Sequence, residues 1–381
     1  MQNIVGIVVE YNPFHNGHLY QIKKIKEKYK ESIIIVCMSS VCTQRGELSV
    51  LTPYEKTKIA LNHGVDIVIE LPYLFTVQGS DIFAKYAIKI LNQMQIDTLC
   101  FGLEKDNLED IKAAARTQLF DITYDDGVRK YLKKGFNYPT ALNKALKEII
   151  HTEIVEPNEL LALSYIKELY KNDYVMDLYN IKRTTKYHDT LSEESIVSAR
   201  NIRHRIKNNI SFENKVPKDA YDILKEKTLN DKYFEYLKYK ILSEDNLDKY
   251  LDVDEGIDSR IKKVINKCNS LDELIIKIKS KRYTYNKISR MLNHILFSLT
   301  KEENQSIRNL EYIRILGFTD KGQKYLNSIK GTLQYPILNK YDTDHYRILQ
   351  IENRANLLYS LMYQDIMDEE IKNKPIINSQ D

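Results

Sequence analysis

The pattern that most constrains the fold lies in the first 120 residues, where short β-branched runs alternate with amphipathic stretches of helical length. Four continuously apolar runs predict strands that are buried on both faces of a sheet: 4–9, 33–38, 65–70 and 98–101. Three stretches between them carry apolar residues at helical spacing: 19–29, 53–62 and 80–93. This β-α-β-α-β-α-β order predicts the α/β class, a Rossmann-like, doubly wound parallel sheet whose ligands bind beyond the carboxyl ends of the strands.

The remainder of the chain divides by its periodicity into three parts. Helical stretches and one more strand candidate, 175–181, extend a Rossmann-like catalytic domain to residue 204. From 205 to 371 the apolar periodicity is almost entirely helical, which predicts a second, mostly α-helical domain. Residues 372–381 contain Pro375 and little periodicity, so we expect a loose tail there.

Composition excludes several classes of protein. With 381 residues, 43% hydrophobic and 29% charged, the chain is too long for a mini-scaffold and too apolar for a disordered protein. Its four cysteines lack C-x-x-C spacing, which favours reduced thiols and a cytoplasmic location. No segment approaches the ~18 apolar residues of a membrane span, and the apolar N-terminal run breaks at Glu10 and Pro13, unlike a signal peptide. We therefore expect no membrane partner.

A loop with two histidines follows the first strand candidate. It reads Glu10-Tyr11-Asn12-Pro13-Phe14-His15-Asn16-Gly17-His18 and leads directly into a helical stretch. Gly17 has no Cβ, so a ligand can approach the backbone, and the start of a helix favours a bound anion. Two imidazoles can donate hydrogen bonds to an α-phosphate and to the bridging oxygen as pyrophosphate leaves. The loop predicts a nucleoside triphosphate site with His15 and His18 as the catalytic pair; two surface histidines beside a turn glycine are the alternative.

These residues resemble a known signature. His15-Asn16-Gly17-His18 is similar to the H-x-G-H motif of nucleotidyltransferases and class I aminoacyl-tRNA synthetases, and the string from Val8 to His18 resembles the bacterial tRNA(Met) cytidine acetate ligase family. Further segments extend the resemblance over nearly the whole chain, among them Gln44-Arg45-Gly46-Glu47, Pro157-Asn158-Glu159, Ile181-Lys182-Arg183 and Arg290-Met291-Leu292-Asn293-His294. Ser40-Val41-Cys42-Thr43 departs from the family pattern, which usually has Gly-Asn-Phe there.

The resemblance implies a two-step, ATP-dependent ligase. Acetate and ATP would form acetyl-adenylate and pyrophosphate, and the acetyl group would pass to N4 of the wobble cytidine of elongator tRNA(Met). Mg²⁺ would accompany the triphosphate, since the sequence contains no recognisable protein cage for a metal. The resemblance implies these ATP-binding residues: Ile7, Val8, Val9, Glu10, Tyr11, Asn12, Pro13, Phe14, His15, Asn16, Gly17, His18, Leu19, Tyr20, Gly102, Asn158 and Arg183.

Three further residues are candidates for binding the phosphates: Lys182, Ser198 and Arg203. Lys182 lies beside Arg183 at the end of the last strand candidate, where the planar fork of an arginine suits phosphate. Ser198 and Arg203 belong to a segment that resembles the S-x-x-x-I-R element of nucleotidyltransferases, in which the serine would cap a helix and the arginine would bind the anion. Glu70 could orient a histidine or a ribose hydroxyl, or could simply end its strand.

A basic cluster in the second half of the chain suggests an RNA partner. Between Lys277 and Arg290 there are six basic residues and no acidic one, although the formal net charge of the chain is only +4. Basic residues hold phosphates and tyrosines stack on unpaired bases, so the tRNA-binding candidates are Lys279, Lys281, Arg282, Tyr283 and Arg290. The alternative is a basic helix end whose tyrosines are half-buried in the core.

The sequence leaves two other functions open. A nucleotidyltransferase could use the same motif to join AMP to a small phosphomonoester. An RNA-binding relative could have lost acyl activation altogether. Pyrophosphate exchange that depends on acetate separates the ligase from both.

Overall fold

The computed structural model describes residues 2–183, 192–227, 232–280, 283–338, 341–363, 366–372 and 374–379. Within these ranges one sheet is formed by β1 (Ile4–Val9), β2 (Ile33–Ser39), β3 (Ile67–Leu71), β4 (Thr98–Leu103), β5 (Asp177–Lys182), β6 (Ile315–Thr319) and β7 (Ile376–Asn378). The order across the sheet is β5-β4-β1-β2-β3-β6-β7. The first five strands run parallel to one another, which confirms the Rossmann-like α/β fold.

The four strands predicted in the first 120 residues are confirmed. β1 has its predicted bounds, and β2, β3 and β4 differ from theirs by one or two residues at an end. Every residue of β2 and β3 is buried, which explains their unbroken apolar runs. Because β1 lies between β2 and β4, the chain leaves β1 first to one side and later to the other. The carboxyl end of β1 is therefore the switch point of the sheet, where ligands of this fold bind.

Helices flank the strands of the first half of the chain. They are α1 (Asn16–Lys28), α2 (Pro53–Asn62), α3 (Tyr73–Thr76), α4 (Ser80–Gln93), α5 (Leu108–Phe120), α6 (Ile122–Lys133), α7 (Tyr138–Ile150) and α8 (Pro157–Lys171). Helix α2 begins at its predicted residue because Pro53 fills the first helical position and Thr52 and Glu55 cap each other's backbone N–H groups.

The second half of the chain is mostly helical, as expected. Its helices are α9 (Ala199–Lys207), α10 (Lys218–Leu224), α11 (Lys232–Ser243), α12 (Ile257–Val264), α13 (Leu271–Ile278), α14 (Tyr285–Leu296), α15 (Lys301–Ser306), α16 (Asp320–Ile329), α17 (Arg347–Met362) and α18 (Met367–Lys372). Helix α14 buries Ile288, Met291, Leu292 and Ile295, which recur at helical spacing and face the core.

The second half also contributes to the sheet, which the sequence analysis did not anticipate. β6 runs antiparallel to β3, with Phe318 opposite Ile67, and β7 runs parallel to β6, with Ile376 opposite Gly317. Residues 376–378 therefore form a strand, and the expectation of a loose tail over 372–381 was wrong for them. A strand of three residues is too short to show periodicity in sequence, and backbone pairing with the edge of β6 holds it in place.

The cysteines agree with the expectation of reduced thiols. Cys37, Cys42, Cys100 and Cys268 are all buried free thiols. Cys37 and Cys100 lie within β2 and β4, where their side chains belong to the core. In the described part of the chain, no helix is both long enough and apolar enough to cross a bilayer.

Candidate active site

The two histidines of the H-x-G-H motif cap the start of α1 together. His15 is the N-cap, and its Nδ1 accepts a hydrogen bond from the backbone N–H of Gly17 at 3.0 Å. His18, three residues later, accepts from the backbone N–H of His15 through its own Nδ1 at 3.2 Å. This is the reciprocal arrangement that serine and glutamate form in an ordinary capping box. The spacing of the motif is therefore also the spacing that begins the helix.

These hydrogen bonds fix which nitrogen of each ring carries the proton. Burial, reinforced by the charge of Arg183, lowers the pKa of His15 to about 3. Burial, then the neighbouring His15 and Arg183, holds the pKa of His18 well below its usual value. Both imidazoles are thus neutral near pH 7, and because each Nδ1 accepts, each Nε2 carries the hydrogen. With ring centroids 3.8 Å apart, the stacked pair presents two neighbouring N–H donors.

Gly17 is required by the position of the His15 ring. A Cβ on Gly17 would lie 2.8 Å from Cε1 and 2.9 Å from Nδ1 of His15, closer than side-chain contacts allow. The His15 ring is itself buried and stacked on His18, so it has little room to move. The glycine therefore keeps the histidine pair in register.

The loop before the histidines is held by the segment after β2. Asn12 accepts from the backbone N–H of Val50 at 2.8 Å and donates to the carbonyl of Leu48 at 3.1 Å. The rings of Tyr11 and Phe14 are buried and pack edge-on at 4.8 Å. Tyr11, Asn12 and Phe14, which belong to the predicted ATP segment, therefore hold the loop in its conformation.

The other residues of the predicted ATP segment fall into two groups. Ile7, Val8 and Val9 lie within β1, where Ile7 and Val9 are buried in the core, and Pro13 is buried in the loop. Leu19 and Tyr20 are half-buried in the first turns of α1. Asn16 donates to the carbonyls of Ser195 and Asn214, at 3.0 Å and 2.9 Å, which connects the motif to the segments before and after α9.

Arg183 directly follows β5 and lies next to Gly102 of the neighbouring strand β4. The backbone N–H of Arg183 donates to the carbonyl of Leu103 at 2.8 Å. The Arg183 side chain crosses Gly102, so that a Cβ on Gly102 would be 3.3 Å from Cγ of Arg183. Its charge acts on both His15 and His18. The structure thus brings Arg183 close to Gly102 and to the histidine pair, which are far from it in sequence, whereas Lys182 is exposed at the end of β5.

Asn158 contacts a residue that the sequence analysis missed. It is the second residue of α8, whose N-cap is Glu156. Its amide donates to Oε1 of Glu104, just after β4. The other carboxylate oxygen of Glu104 is buried and has no hydrogen-bond partner in the described part of the chain. An orphaned acceptor at this edge of the sheet suits a ligand hydroxyl.

Arg203 joins α9 to the H-x-G-H loop. Ser198 caps this helix as predicted, accepting from the backbone N–H of Asn201 at 3.2 Å. One terminal nitrogen of Arg203 donates to the carbonyl of Asn12 at 2.7 Å, and the other donates to Glu47 Oε2 at 2.5 Å. The charge of Arg203 also acts on His15. Arg203 therefore places a second positive charge beside the H-x-G-H loop, in addition to that of Arg183.

Lys56 is a second residue that the sequence analysis missed. It is fully buried in α2, and its ammonium donates to the carbonyls of Ser39 at 2.6 Å, Ser40 at 2.7 Å and Glu10 at 3.3 Å. Burial lowers its pKa to about 7. Lys56 thus fastens the carboxyl ends of β1 and β2 to each other. In sequence it looks like one of several lysines on an amphipathic helix, so no signal marks it.

Helix α14, which carries part of the predicted RNA-binding cluster, packs directly on the loop after β2. Asn293 donates to the carbonyl of Gly46 at 2.9 Å, and Gly46 has a φ of 78°. A Cβ there would lie 3.0 Å from the carbonyl oxygen of Ser289 and 3.1 Å from Cα of Arg290. The predicted RNA-binding helix and the histidine loop are therefore separated only by the Gln44-Arg45-Gly46-Glu47 turn.

The individual tRNA-binding candidates have different surroundings. Lys279 is exposed at the end of α13, and Arg290 is half-buried on α14. Tyr283 is buried and donates to the carbonyl of Asp254 at 2.7 Å. Its ring is therefore not available to stack on a base, which corrects that expectation. Lys281 and Arg282 lie outside the described residues.

Glu70 has a structural partner rather than a histidine. Its carboxylate accepts from Arg314, which precedes β6, at 2.9 Å. Both side chains are almost fully buried, at 0% and 2% exposure. Glu70 therefore joins the second half of the chain to β3.

Comparison with known proteins shows the family of the chain. The chain matches the family described as HIGH Nucleotidyl Transferase over residues 1–374. It is 35% identical over 396 residues to a tRNA(Met) cytidine acetate ligase of Caldicellulosiruptor saccharolyticus, with 97% of this chain and 98% of the relative covered. It is 35% identical over 386 residues to the tRNA(Met) cytidine acetate ligase of Bacillus subtilis, with 95% and 92% covered.

The fold is also similar to two crystal structures of Thermotoga maritima TmcAL. The apo structure gives a TM-score of 0.92 and the structure bound with alpha-thio ATP gives 0.87. Each has 26% sequence identity and covers 100% of both chains. The chain therefore belongs to the HIGH nucleotidyl transferases and, within them, to the tRNA(Met) cytidine acetate ligase family.

Proposed function

We propose that this protein is an ATP-dependent ligase that activates acetate and transfers its acetyl group to N4 of the wobble cytidine of elongator tRNA(Met). The observation that carries the proposal is the stacked pair of neutral imidazoles, whose Nδ1 atoms are both held by backbone N–H groups. The relatives named tRNA(Met) cytidine acetate ligase support the choice of substrates. The reaction would take place in the cytosol, where ATP and tRNA are both present.

In the first step an oxygen of acetate would bond to the α-phosphorus of ATP, and the bond from that phosphorus to the bridging oxygen would break. Negative charge grows on the α-phosphate and the bridging oxygen, so the two Nε2–H groups of His15 and His18 stabilise the transition state. Arg183 and Arg203 supply positive charge for the remaining phosphate oxygens. No side chain acts as nucleophile, because acetate itself attacks.

The adenosine half of ATP would lie at the carboxyl end of β4. Gly102 has no Cβ, which lets the Arg183 side chain cross it, so Arg183 would lie beside the bound nucleotide there. Asn158 and Glu104 are already joined by a hydrogen bond, and the orphaned oxygen of Glu104 would accept a ribose hydroxyl. The acetyl-adenylate formed in the first step would remain in this position for the second.

Magnesium would be held by the nucleotide. The described residues contain no group of three or more histidine, cysteine, aspartate or glutamate side chains that could form a metal site. The histidines of the motif and the arginines beside them present N–H donors, which do not ligate Mg²⁺. The phosphate oxygens of ATP would therefore be the ligands of Mg²⁺, and the ion would neutralise part of their charge.

Pyrophosphate exchange tests the proposed first step. Radiolabelled pyrophosphate should enter ATP only when acetate is present, and a small phosphomonoester should not replace acetate. Mass spectrometry of the wobble cytidine after incubation with ATP, acetate and unmodified elongator tRNA(Met) tests the whole reaction. Exchange driven by the phosphomonoester would make the protein an adenylyltransferase, and tRNA binding without any exchange would make it a non-catalytic RNA-binding protein.

Gly17→Ala is expected to lower the exchange rate about 10- to 100-fold, since the new Cβ displaces the His15 ring from its stacked position. Exchange is measured with saturating ATP and acetate. Gly331→Ala is the matched control, because a Cβ there meets nothing within 4 Å. Exchange by Gly17→Ala at the wild-type rate would contradict the requirement for a fixed His15 ring.

Lys279→Ala is expected to weaken tRNA binding and to reduce the slope of log K against log salt by about one, the loss of a single phosphate contact. Binding is measured over a series of salt concentrations. Lys324→Ala is the control: this exposed lysine lies on α16, which packs by Gly322 on Asp66, just before β3. Helix α16 therefore packs near the amino ends of the strands, whereas α14 packs on a loop at their carboxyl ends. Equal slopes for both variants would argue against an RNA contact at Lys279.

A further inference from the structure

Transfer of the acetyl group requires a base, and this requirement rests on the proposed function. The N4 amine of cytidine carries a delocalised lone pair and keeps its protons at neutral pH. When the amine attacks the acetyl carbon, a C–N bond forms, the bond from that carbon to the AMP oxygen breaks, and one proton must leave the nitrogen. A carboxylate in reach of that nitrogen would speed this step.

The histidine pair cannot act as that base. Each ring has one acceptor nitrogen, and both of these, Nδ1 of His15 and Nδ1 of His18, already accept from backbone N–H groups of the helix cap. The nitrogens that remain, Nε2 of each ring, carry hydrogen and can only donate. The two rings that donate hydrogen bonds in the first step therefore have no acceptor nitrogen left to take a proton in the second.

Glu10 has the geometry of a base. It follows β1 directly, at the switch point of the sheet. Its Oε1 accepts from the backbone N–H of Gln44 at 2.7 Å, which fixes the carboxylate. Its Oε2 has no hydrogen-bond partner in the described part of the chain, and the residue is partly exposed. One oxygen is thus anchored while the other is open to a ligand.

Glu10 also lies between the two proposed substrates. On one side Glu10 belongs to the same loop as His15, and Arg203 acts electrostatically on both residues. On the other side Glu10 is bonded to the Gln44-Arg45-Gly46-Glu47 turn, whose Gly46 carbonyl is bonded to Asn293 of α14. A cytidine presented by RNA on α14 would meet the acetyl-adenylate beside this carboxylate.

We infer that Glu10 is the general base of the acetyl-transfer step and that its Oε2 takes the proton from N4 of cytidine as AMP leaves. The proton would then pass to solvent through the same exposed oxygen. The backbone carbonyl of Glu10 accepts from Lys56, so the residue is held at both its backbone and its side chain.

The electrostatic surroundings support a basic carboxylate. Burial raises the pKa of Glu10, and the charge of Glu47 raises it further. The Gln44 N–H and the charges of Arg45 and Arg203 lower it. Lys56 on α2 and Tyr165 on α8 also face it. A raised pKa makes the carboxylate a better proton acceptor at pH 7. Acetyl transfer should therefore slow as pH falls through that raised pKa, because protonated Glu10 has lost its accepting function.

The test supplies chemically prepared acetyl-adenylate and unmodified elongator tRNA(Met) transcript, so that the second step is measured without the first. Single-turnover acetyl transfer by Glu10→Gln should be about 100-fold slower than by the wild type. Its acetate-dependent pyrophosphate exchange should fall at least tenfold less than its transfer. Glu47→Gln, which removes the other carboxylate of this region, should keep the wild-type ratio of transfer to exchange. Glu10→Asp should restore part of the transfer rate and the acidic limb of its pH profile.

The possible outcomes separate the two proposals. Transfer and exchange falling together in Glu10→Gln, or transfer at the wild-type rate, would overturn the role of Glu10. A wild-type enzyme that fails to use acetyl-adenylate would overturn the proposed function itself. If Glu10→Gln unfolds, as judged by its thermal midpoint, the wild-type pH profile decides: an acidic limb in transfer but not in exchange supports the base, and its absence overturns it.

Discussion

His18→Ala is expected to lower acetate-dependent pyrophosphate exchange about 100- to 1000-fold, the effect of removing one transition-state donor. The substitution removes an Nε2–H donor, and it also removes the acceptor of the His15 backbone N–H. His15 consequently loses both its stacking partner and half of the reciprocal cap. Exchange at saturating ATP and acetate measures the effect.

Two further variants make this test specific. His18→Asn keeps a side-chain N–H and should lie between the wild type and His18→Ala. His204→Ala removes an exposed histidine on α9 and should exchange like the wild type. The affinity for tRNA should change little in His18→Ala, because RNA is expected on α14. Exchange by His18→Ala at the wild-type rate would show that the histidine pair does not stabilise the transition state.

Arg314→Met is expected to lower the free energy of unfolding by about 3–5 kcal/mol, because it leaves the Glu70 carboxylate buried without its guanidinium. The backbone N–H of Glu70 donates to the carbonyl of Arg314 as well, so the pair lies where β6 joins β3. Urea denaturation measures the change. Arg129→Met, which breaks an exposed pair with Asp126, should cost less than about 1 kcal/mol.

A double variant isolates the ion pair itself. Glu70→Leu combined with Arg314→Met removes both charges, and it should be more stable than Arg314→Met alone, since no buried charge is left without a partner. If the loss of stability in the double variant, relative to the wild type, equalled the sum of the losses in the two single variants, the two side chains would contribute independently. The large effect of Arg314→Met would then come from lost packing.

Local signals made part of this structure predictable from sequence. Continuous apolar runs located β1 to β4, and Thr52, Pro53 and Glu55 fixed the start of α2. The H-x-G-H spacing located the histidine pair because the motif is also a helix cap, and both properties are encoded within four residues.

Long-range pairings were not predictable in the same way. Lys56 looks like a surface lysine until the ends of β1 and β2 are seen around it. Glu104 is a single acidic residue after a strand, and only its contact with Asn158 marks it. Tyr283 was predicted to stack on a base, but its hydroxyl donates a hydrogen bond to the carbonyl of Asp254, which is far from it in sequence. Each of these depends on a partner that local periodicity does not reveal.

The sheet order has a consequence for how the protein is made. The ribosome releases β1 to β4 long before β6, yet β6 is the strand that covers the edge of β3. Until residue 319 has emerged from the ribosome, the nascent chain has a nearly complete nucleotide-binding half. Its edge strand, β3, is then apolar and unpaired along one side. Such an edge invites pairing with other chains. Shortened versions that end before β6 should therefore aggregate during expression, even though every residue of the H-x-G-H motif is present.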